Sequence, residues 1–366
     1  MTLSNPHRSR AARYILPTSI PASANTTPVL RDVRRANKIF SYTVHGAFFL
    51  IFQKEWGVHF RVGKACPSLR RTFMPHPTPI VAFLYDFDKT LCTTDMEDYA
   101  FIPSLGMTPG EFWSLANGFG RRNRVDGILA YMYTMIQESE KRNLPFTREQ
   151  LVEMGKSIVL FPGVEGWFDR INAFGAAQGV QVEHYVISSG LREIIEGSAI
   201  SGAFKEIYAS EFFYDDAGKP VWPKLTVNFT AKTQFVYRIN KGVLDVSDDK
   251  TLNDSMPDDS KRVPFTNMIY VGDGLSDVPC MKMMRSYGGQ AIAVYQSSNR
   301  VGVEDLLAKG RVDYIFPADY REGTAMDETV KNIIRKMAIA DALGYENAKQ
   351  LRSIGGDVLP DQVGLF

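Results

Sequence analysis

The chain has 366 residues, 45% of them hydrophobic, which supports two domains or one domain with an insertion. Its formal net charge of +1 hides an asymmetry: residues 1–73 hold 12 Lys and Arg against two acids, and the remainder holds 30 against 39. The acidic body does not suggest a nucleic-acid-binding surface, no apolar run reaches the length of a membrane span, and three cysteines without a CxxC pair fit a reducing, cytoplasmic compartment.

Residues 1–73 are rich in Arg, Ser, Pro and Thr at the start and lack sustained periodicity. They read as a disordered extension or a mis-assigned start rather than a folded domain. The run Tyr42 to Phe52 (YTVHGAFFLIF) is too short to span a membrane and contains His45.

Residues 79–91, PIVAFLYDFDKTL, hold the first strong signal. The apolar run Ile80 to Tyr85 is short and carries no helical alternation, so it reads as a buried strand. It ends in two aspartates one residue apart, Asp86 and Asp88, where open parallel sheets place their ligand sites. Two carboxylates so close repel unless a cation or a shared proton intervenes. A magnesium ion suits them, because it prefers hard oxygen ligands.

Residues 95–161 then turn helical. Thr108, Pro109 and Glu111 read as the N-cap, first and third positions of one helix. Asp126 caps a second, with Ile128, Leu129, Met132, Met135 and Ile136 as its apolar stripe, and Thr147 to Gln150 starts a third. Phe161-Pro162-Gly163 breaks the pattern. A strand over 182–190 (VEHYVISSG) delivers Ser188 and Ser189 to Gly190. Residues 207–223 read as a hairpin turning at Asp216-Ala217-Gly218. Lys232 opens a helix that Gly242 ends, and polar residues 245–262 read as an exposed loop. Residues 268–277, MIYVGDGLSD, repeat the first signal: an apolar strand runs into Gly272, Asp273, Gly274 and Asp277. Strands at 291–295 and 313–316 and an amphipathic helix near 327–343 complete the chain. Either acidic motif alone fits a turn or helix cap, but two such strand-ends seldom arise from turn chemistry.

In this order the motifs resemble the haloacid dehalogenase superfamily, in its phosphoserine-phosphatase-like branch. The resemblance covers about residues 79–335 and rests on Asp86-Phe87-Asp88-Lys89-Thr90, Ser188, Lys232 and Gly272-Asp273 with Asp277. It implies an α/β fold, a Rossmann-like parallel sheet with helices on both faces. The core would comprise 74–94 and 162–366, and residues 95–161 an all-helical cap. It further implies a magnesium-dependent phosphatase acting on a small phosphorylated metabolite, with neither nucleic acid nor membrane as partner. In that reading Asp86 is the nucleophile and Asp88 the acid and base, while Ser188 and Lys232 hold the phosphoryl group. Thr90, Ser189, Gly190 and Asp95 contact substrate. Asp86, Asp88 (through its carbonyl) and Asp273 hold Mg²⁺, and Asp277 supports them by orienting Lys232 or a bound water. Lys241, at the other end of the same helix, is the alternative lysine. Serine-specific relatives have an acidic residue nine positions after the nucleophile, here Asp95 with Glu97 nearby. They also have a cap arginine, where this chain has Ala130, Tyr131 and Met132. A phosphotransferase and a catalytically silent binding module remain open on the same fold.

Overall fold

The computed structural model describes residues 78–257 and 260–354, together with three strands between 39 and 60. The chain divides after Met74. On the N-terminal side, β1 (Ile39–Val44), β2 (Ala47–Lys54) and β3 (Gly57–Phe60) form an antiparallel sheet in the order β1-β2-β3. The expectation of a disordered or mis-assigned 1–73 otherwise falls outside the described residues. The aromatic and β-branched content of β1 and β2 favours strand formation.

The second unit is built on a seven-stranded sheet. Its first strand is β4 (Ile80–Tyr85). The chain then makes α1 (Phe101–Ser104), α2 (Pro109–Asn123), α3 (Gly127–Lys141) and α4 (Arg148–Gly155) before α5 (Val164–Ala177). There follow β5 (Gln181–Leu191), α6 (Arg192–Glu196), β6 (Glu206–Tyr214), β7 (Pro220–Leu225), α7 (Lys232–Lys241) and α8 (Asp249–Asn253). Last come β8 (Met268–Gly272), α9 (Val278–Ser286), β9 (Gln290–Tyr295), α10 (Arg300–Ala308), β10 (Tyr314–Pro317) and α11 (Ala325–Ser353).

The strand order is β10-β9-β8-β4-β5-β6-β7, parallel except for the β6–β7 hairpin. The chain moves one way from β4 through β5 and β6, and returns to β4's other side through β8. The carboxyl end of β4 is therefore the topological switch point, where sheets of this kind open a crevice. Both faces of β4 are covered. Val81, Phe83 and Tyr85 enter one apolar cluster with Trp167 of α5 and Val330 of α11. Ala82 and Leu84 enter another with Phe235 of α7 and Met281 of α9. Period-two alternation on a doubly covered strand explains why β4 reads as an unbroken apolar run.

The helices α1 to α4 are an insertion whose two connections run side by side. Thr93 N–H donates to the Val159 carbonyl (3.0 Å), and Phe161 N–H to the Leu91 carbonyl (3.0 Å). Their starts follow the local chemistry. Thr108 and Glu111 form a reciprocal capping box on α2, Asp126 accepts from Ile128 and Leu129 N–H on α3, and Thr147 pairs with Gln150 on α4. The buried stripe of α3 lies a residue off expectation: Leu129 is exposed, and Tyr131, Met132 and Met135 face inward. Two other segments differ from the sequence reading. The segment read as an exposed loop, 245–262, does expose most of its described residues, but it contains α8, and its start is held by the buried Arg238 guanidinium, which donates to the carbonyls of Asp245 (2.7 Å) and Val246 (2.9 Å). The final helix runs ten residues past Leu343, to Ser353, and its last turns bury no apolar stripe that a pattern search could follow.

Candidate active site

The carboxyl ends of β4, β5 and β8 are adjacent, and each delivers one part of the site. Asp86 follows β4 directly, and its N–H donates to the Val271 carbonyl of β8 (2.9 Å). Its Oδ1 lies 2.9 Å from Lys232 Nζ, and the same Nζ lies 2.7 Å from Asp277 Oδ1. Tyr270 O–H also donates to that Asp277 oxygen (2.7 Å), and Asp273 N–H to the other (3.2 Å). All these groups but Asp273 are nearly or fully buried. The turn after β8 wraps so tightly around Asp277 that a Cβ at Gly272 would collide with its carboxylate. That close approach is why glycine is required here.

Lys232 is the lysine the fold brings to the centre. Lys241 Nζ instead donates to the carbonyls of Leu252 (2.6 Å) and Asp254 (2.8 Å), at the other end of α7. Carboxylate oxygens of Asp86, Asp273 and Asp277 lie within 4.8 Å of one another. This all-oxygen, all-anionic set fits a hard divalent cation such as Mg²⁺. The electrostatics point the same way. Burial and the nearby Asp277 raise the Asp86 pKa to about 6 against the pull of Lys232. Burial and Asp86 raise that of Asp273 to about 8. A cation between them would reverse both shifts. The Asp88 carboxylate stands outside this cluster.

Asp88 Oδ1 accepts from Met96 N–H (2.9 Å). Burial, then the charges of Glu97, Asp95 and Asp86, raise its pKa well above the usual range. Between Asp88 and this contact the loop turns through Lys89 in the left-handed region, at φ 56°. Lys89 Nζ reaches both oxygens of Asp95 (2.8 and 2.6 Å). Asp95 is thus ion-paired within its own loop.

Ser188 is fully buried near the end of β5, and its Oγ accepts from Gly190 N–H (3.1 Å). The Ser189 carbonyl accepts from Ser210 O–H (3.1 Å) and from Tyr131 O–H of the helical insertion (2.8 Å). Gly190 packs against Asp88 and Met96, and a Cβ there would stand 2.8 Å from Asp88 Oδ2. The hydroxyls of Thr90 and Ser189 are buried without a hydrogen-bond partner. Such groups are rare, and a bound anion or water would satisfy them.

Three neighbours of the site carried no signal of their own in the sequence. Tyr131 and Tyr270 look like ordinary core positions until their hydroxyls are placed. Glu97 is 2% exposed, and its Oε1 has no partner. Only its nearness in sequence to Asp95 drew notice.

A curated relative, an uncharacterised protein of Borreliella burgdorferi, is 26% identical over 276 residues, covering 68% of this chain and 94% of the relative. Among solved structures, a HAD family hydrolase from Salmonella enterica serovar Typhi aligns at 15% identity and a TM-score of 0.44, covering 67% of this chain and 70% of that one. A phosphoserine phosphatase in apo form aligns at 16% identity and a TM-score of 0.44, covering 66% of this chain and 96% of that one. The family model for haloacid dehalogenase-like hydrolases matches residues 83–282, a span that holds the acidic turns after β4 and β8 and Lys232 between them, and the chain belongs to that family.

Proposed function

We propose that the protein is a magnesium-dependent phosphatase that hydrolyses a small phosphomonoester through a phosphorylated Asp86. The observation that carries this reading is the buried chain Asp86–Lys232–Asp277 at the carboxyl end of β4, with Asp273 beside it. A phosphate ester repels an anionic nucleophile, so a carboxylate can attack only where positive charge is fixed nearby. Lys232 supplies that charge at 2.9 Å from the attacking oxygen. Mg²⁺, held by Asp86, Asp273 and the Asp88 carbonyl, would supply the rest by shielding charge between nucleophile and phosphoryl group.

Asp86 attacks phosphorus, the bond to the leaving oxygen breaks, and Asp88 gives that oxygen a proton. Burial raises its pKa well above the usual carboxylate range, which favours the protonated form this step needs. Asp88 then takes a proton from the water that cleaves the acyl phosphate, which returns Asp86 and releases phosphate. Ser188, the backbone N–H groups of the turn at Gly190, and the unpartnered hydroxyls of Thr90 and Ser189 receive the phosphoryl oxygens. Asp277 orients Lys232. Helices α1 to α4 act as the cap that keeps bulk water from the intermediate.

The test is a screen of phosphomonoesters with and without Mg²⁺, run alongside Asp86→Asn. The variant should fold and bind phosphate analogues, yet release no phosphate. Hydrolysis by Asp86→Asn at the wild-type rate would refute the covalent route.

A further inference from the structure

We propose that Tyr131 is a positioning residue. From the helical insertion, its hydroxyl sets the peptide plane between Ser189 and Gly190 and so aims the Ser188 hydroxyl at the phosphoryl group, which makes the phosphate pocket complete only while the insertion is docked. This inference rests on the phosphatase reading above. It starts from a carbonyl that two separate parts of the chain hold.

The Ser189 carbonyl accepts from Tyr131 O–H of α3 (2.8 Å) and from Ser210 O–H of β6 (3.1 Å). A trans peptide is planar, so this carbonyl and the Gly190 N–H point opposite ways and turn together. Gly190 N–H in turn donates to Ser188 Oγ (3.1 Å). A hydroxyl that accepts in this way keeps its own proton free to donate. Ser188 is fully buried, and in the reading above that proton goes to a phosphoryl oxygen. The path from insertion to phosphate therefore has four members: Tyr131 O–H, the Ser189 carbonyl, Gly190 N–H and Ser188 Oγ. Hydrogen bonds in such a chain polarise one another, so the donor at the far end strengthens the donor at the near end.

The surroundings of Tyr131 suit this role. Its ring is buried and packs edge-on against Trp113 of α2, with 5.7 Å between centroids, so the insertion fixes where the hydroxyl points. Burial, then the charges of Glu97 and Asp88, raise its pKa well above the ordinary value, so the hydroxyl stays protonated and acts as a donor. Phenylalanine would fill the same space in the core, which leaves the hydroxyl as the part that needs a reason. Two other polar ties between α3 and the sheet side are exposed: Asp126 accepts from Asn228 Nδ2 (3.2 Å) and Glu140 from Lys219 Nζ (2.7 Å). Such surface contacts contribute little and are screened by salt. The Tyr131 bond lies between them along the helix and ends inside the site. Docking of the insertion and shaping of the phosphate pocket are then one event, and release of Tyr131 loosens the hold on product phosphate.

The experiment uses the full chain with Mg²⁺, p-nitrophenyl phosphate as substrate and orthovanadate as the probe of the phosphate pocket. Tyr131→Phe should lower kcat/KM and weaken orthovanadate inhibition, each by about tenfold, the scale of one buried hydrogen bond. A hydroxyl with a merely structural role would change stability and move neither. In a Ser188→Ala background the further loss of kcat/KM on Tyr131→Phe should vanish, because Tyr131 acts through that serine. In wild type, orthovanadate should slow amide hydrogen exchange along α3. An unchanged orthovanadate constant in Tyr131→Phe, or the same loss with and without Ser188, would overturn the inference. Should Tyr131→Phe fail to fold, the exchange measurement decides, and α3 exchange unaltered by orthovanadate overturns the inference. Hydrolysis by wild type with an unaffected Tyr131→Phe defeats this inference alone, whereas a wild type that hydrolyses no phosphomonoester defeats the phosphatase reading with it.

Discussion

Replacing Lys232 with methionine keeps the length and apolar stem of the side chain and removes only its charge. The lysine is 1% exposed, 2.9 Å from Asp86 and 2.7 Å from Asp277. Burial alone would lower its pKa, but the two aspartates outweigh burial and raise it. A cation whose folded value exceeds its unfolded value stabilises fully below the unfolded pKa, about 10.4. That contribution is lost only as pH rises through the folded value. Wild type therefore keeps it throughout pH 5 to 8. Breaking a buried pair by removing one partner costs about 3–5 kcal/mol. Protonation limits the loss, because Asp86 sits at about 6 even beside the lysine and rises further without it. The lower figure, about 3 kcal/mol at pH 8, is therefore expected. At about 2 °C per kcal/mol for a domain of this size, Tm should fall by roughly 6 °C.

The loss should depend on pH in one direction. In the variant the folded state holds a proton on Asp86 that the unfolded chain, with a carboxyl pKa of about 4, releases. Stability of the variant then declines as pH rises from 5 to 8, and its gap to wild type widens. Thermal unfolding by circular dichroism at both pH values measures this, with phosphate release in parallel. Loss of a fixed charge at the attacking oxygen should lower kcat by about 10²–10³-fold. A Tm within about 1 °C of wild type at both pH values, well below the shift expected above, would refute the argument, as would wild-type kcat.

Chelation with EDTA should stop phosphate release and Mg²⁺ should restore it. Ca²⁺ should not, since its looser, higher coordination misplaces the attacking oxygen; full turnover in chelator would remove the metal from the mechanism. Gly272→Ala should inactivate the enzyme and destabilise it by about 1–3 kcal/mol, because the added Cβ drives into the Asp277 carboxylate. A soluble, fully active Gly272→Ala protein would mean that the turn after β8 has room the structure does not show.

What could be read from the chain depended on how local the cause was. The helix starts at Thr108, Asp126 and Thr147 were legible because a cap and its partner lie two or three residues apart. The buried strands at Asp86 and Asp273 were legible because a doubly covered strand leaves an unbroken apolar run. Lys232 and Lys241 could not be separated by pattern, since both sit on one helix with a single turn-forming glycine after it. Only the sheet order, which folds β8 against β4, puts Asp277 under the first lysine and leaves the second to cap the loop at Leu252 and Asp254. Tyr131 shows the same limit. Its place on a buried helix face describes its ring, while its hydroxyl meets a carbonyl 58 residues away. Glu97 goes a step further. A carboxylate in a polar loop reads as solvated, and nothing within the loop tells that this one is 2% exposed. Burial of a charged group is a tertiary property, decided by what the rest of the chain packs around it, and local pattern cannot carry it.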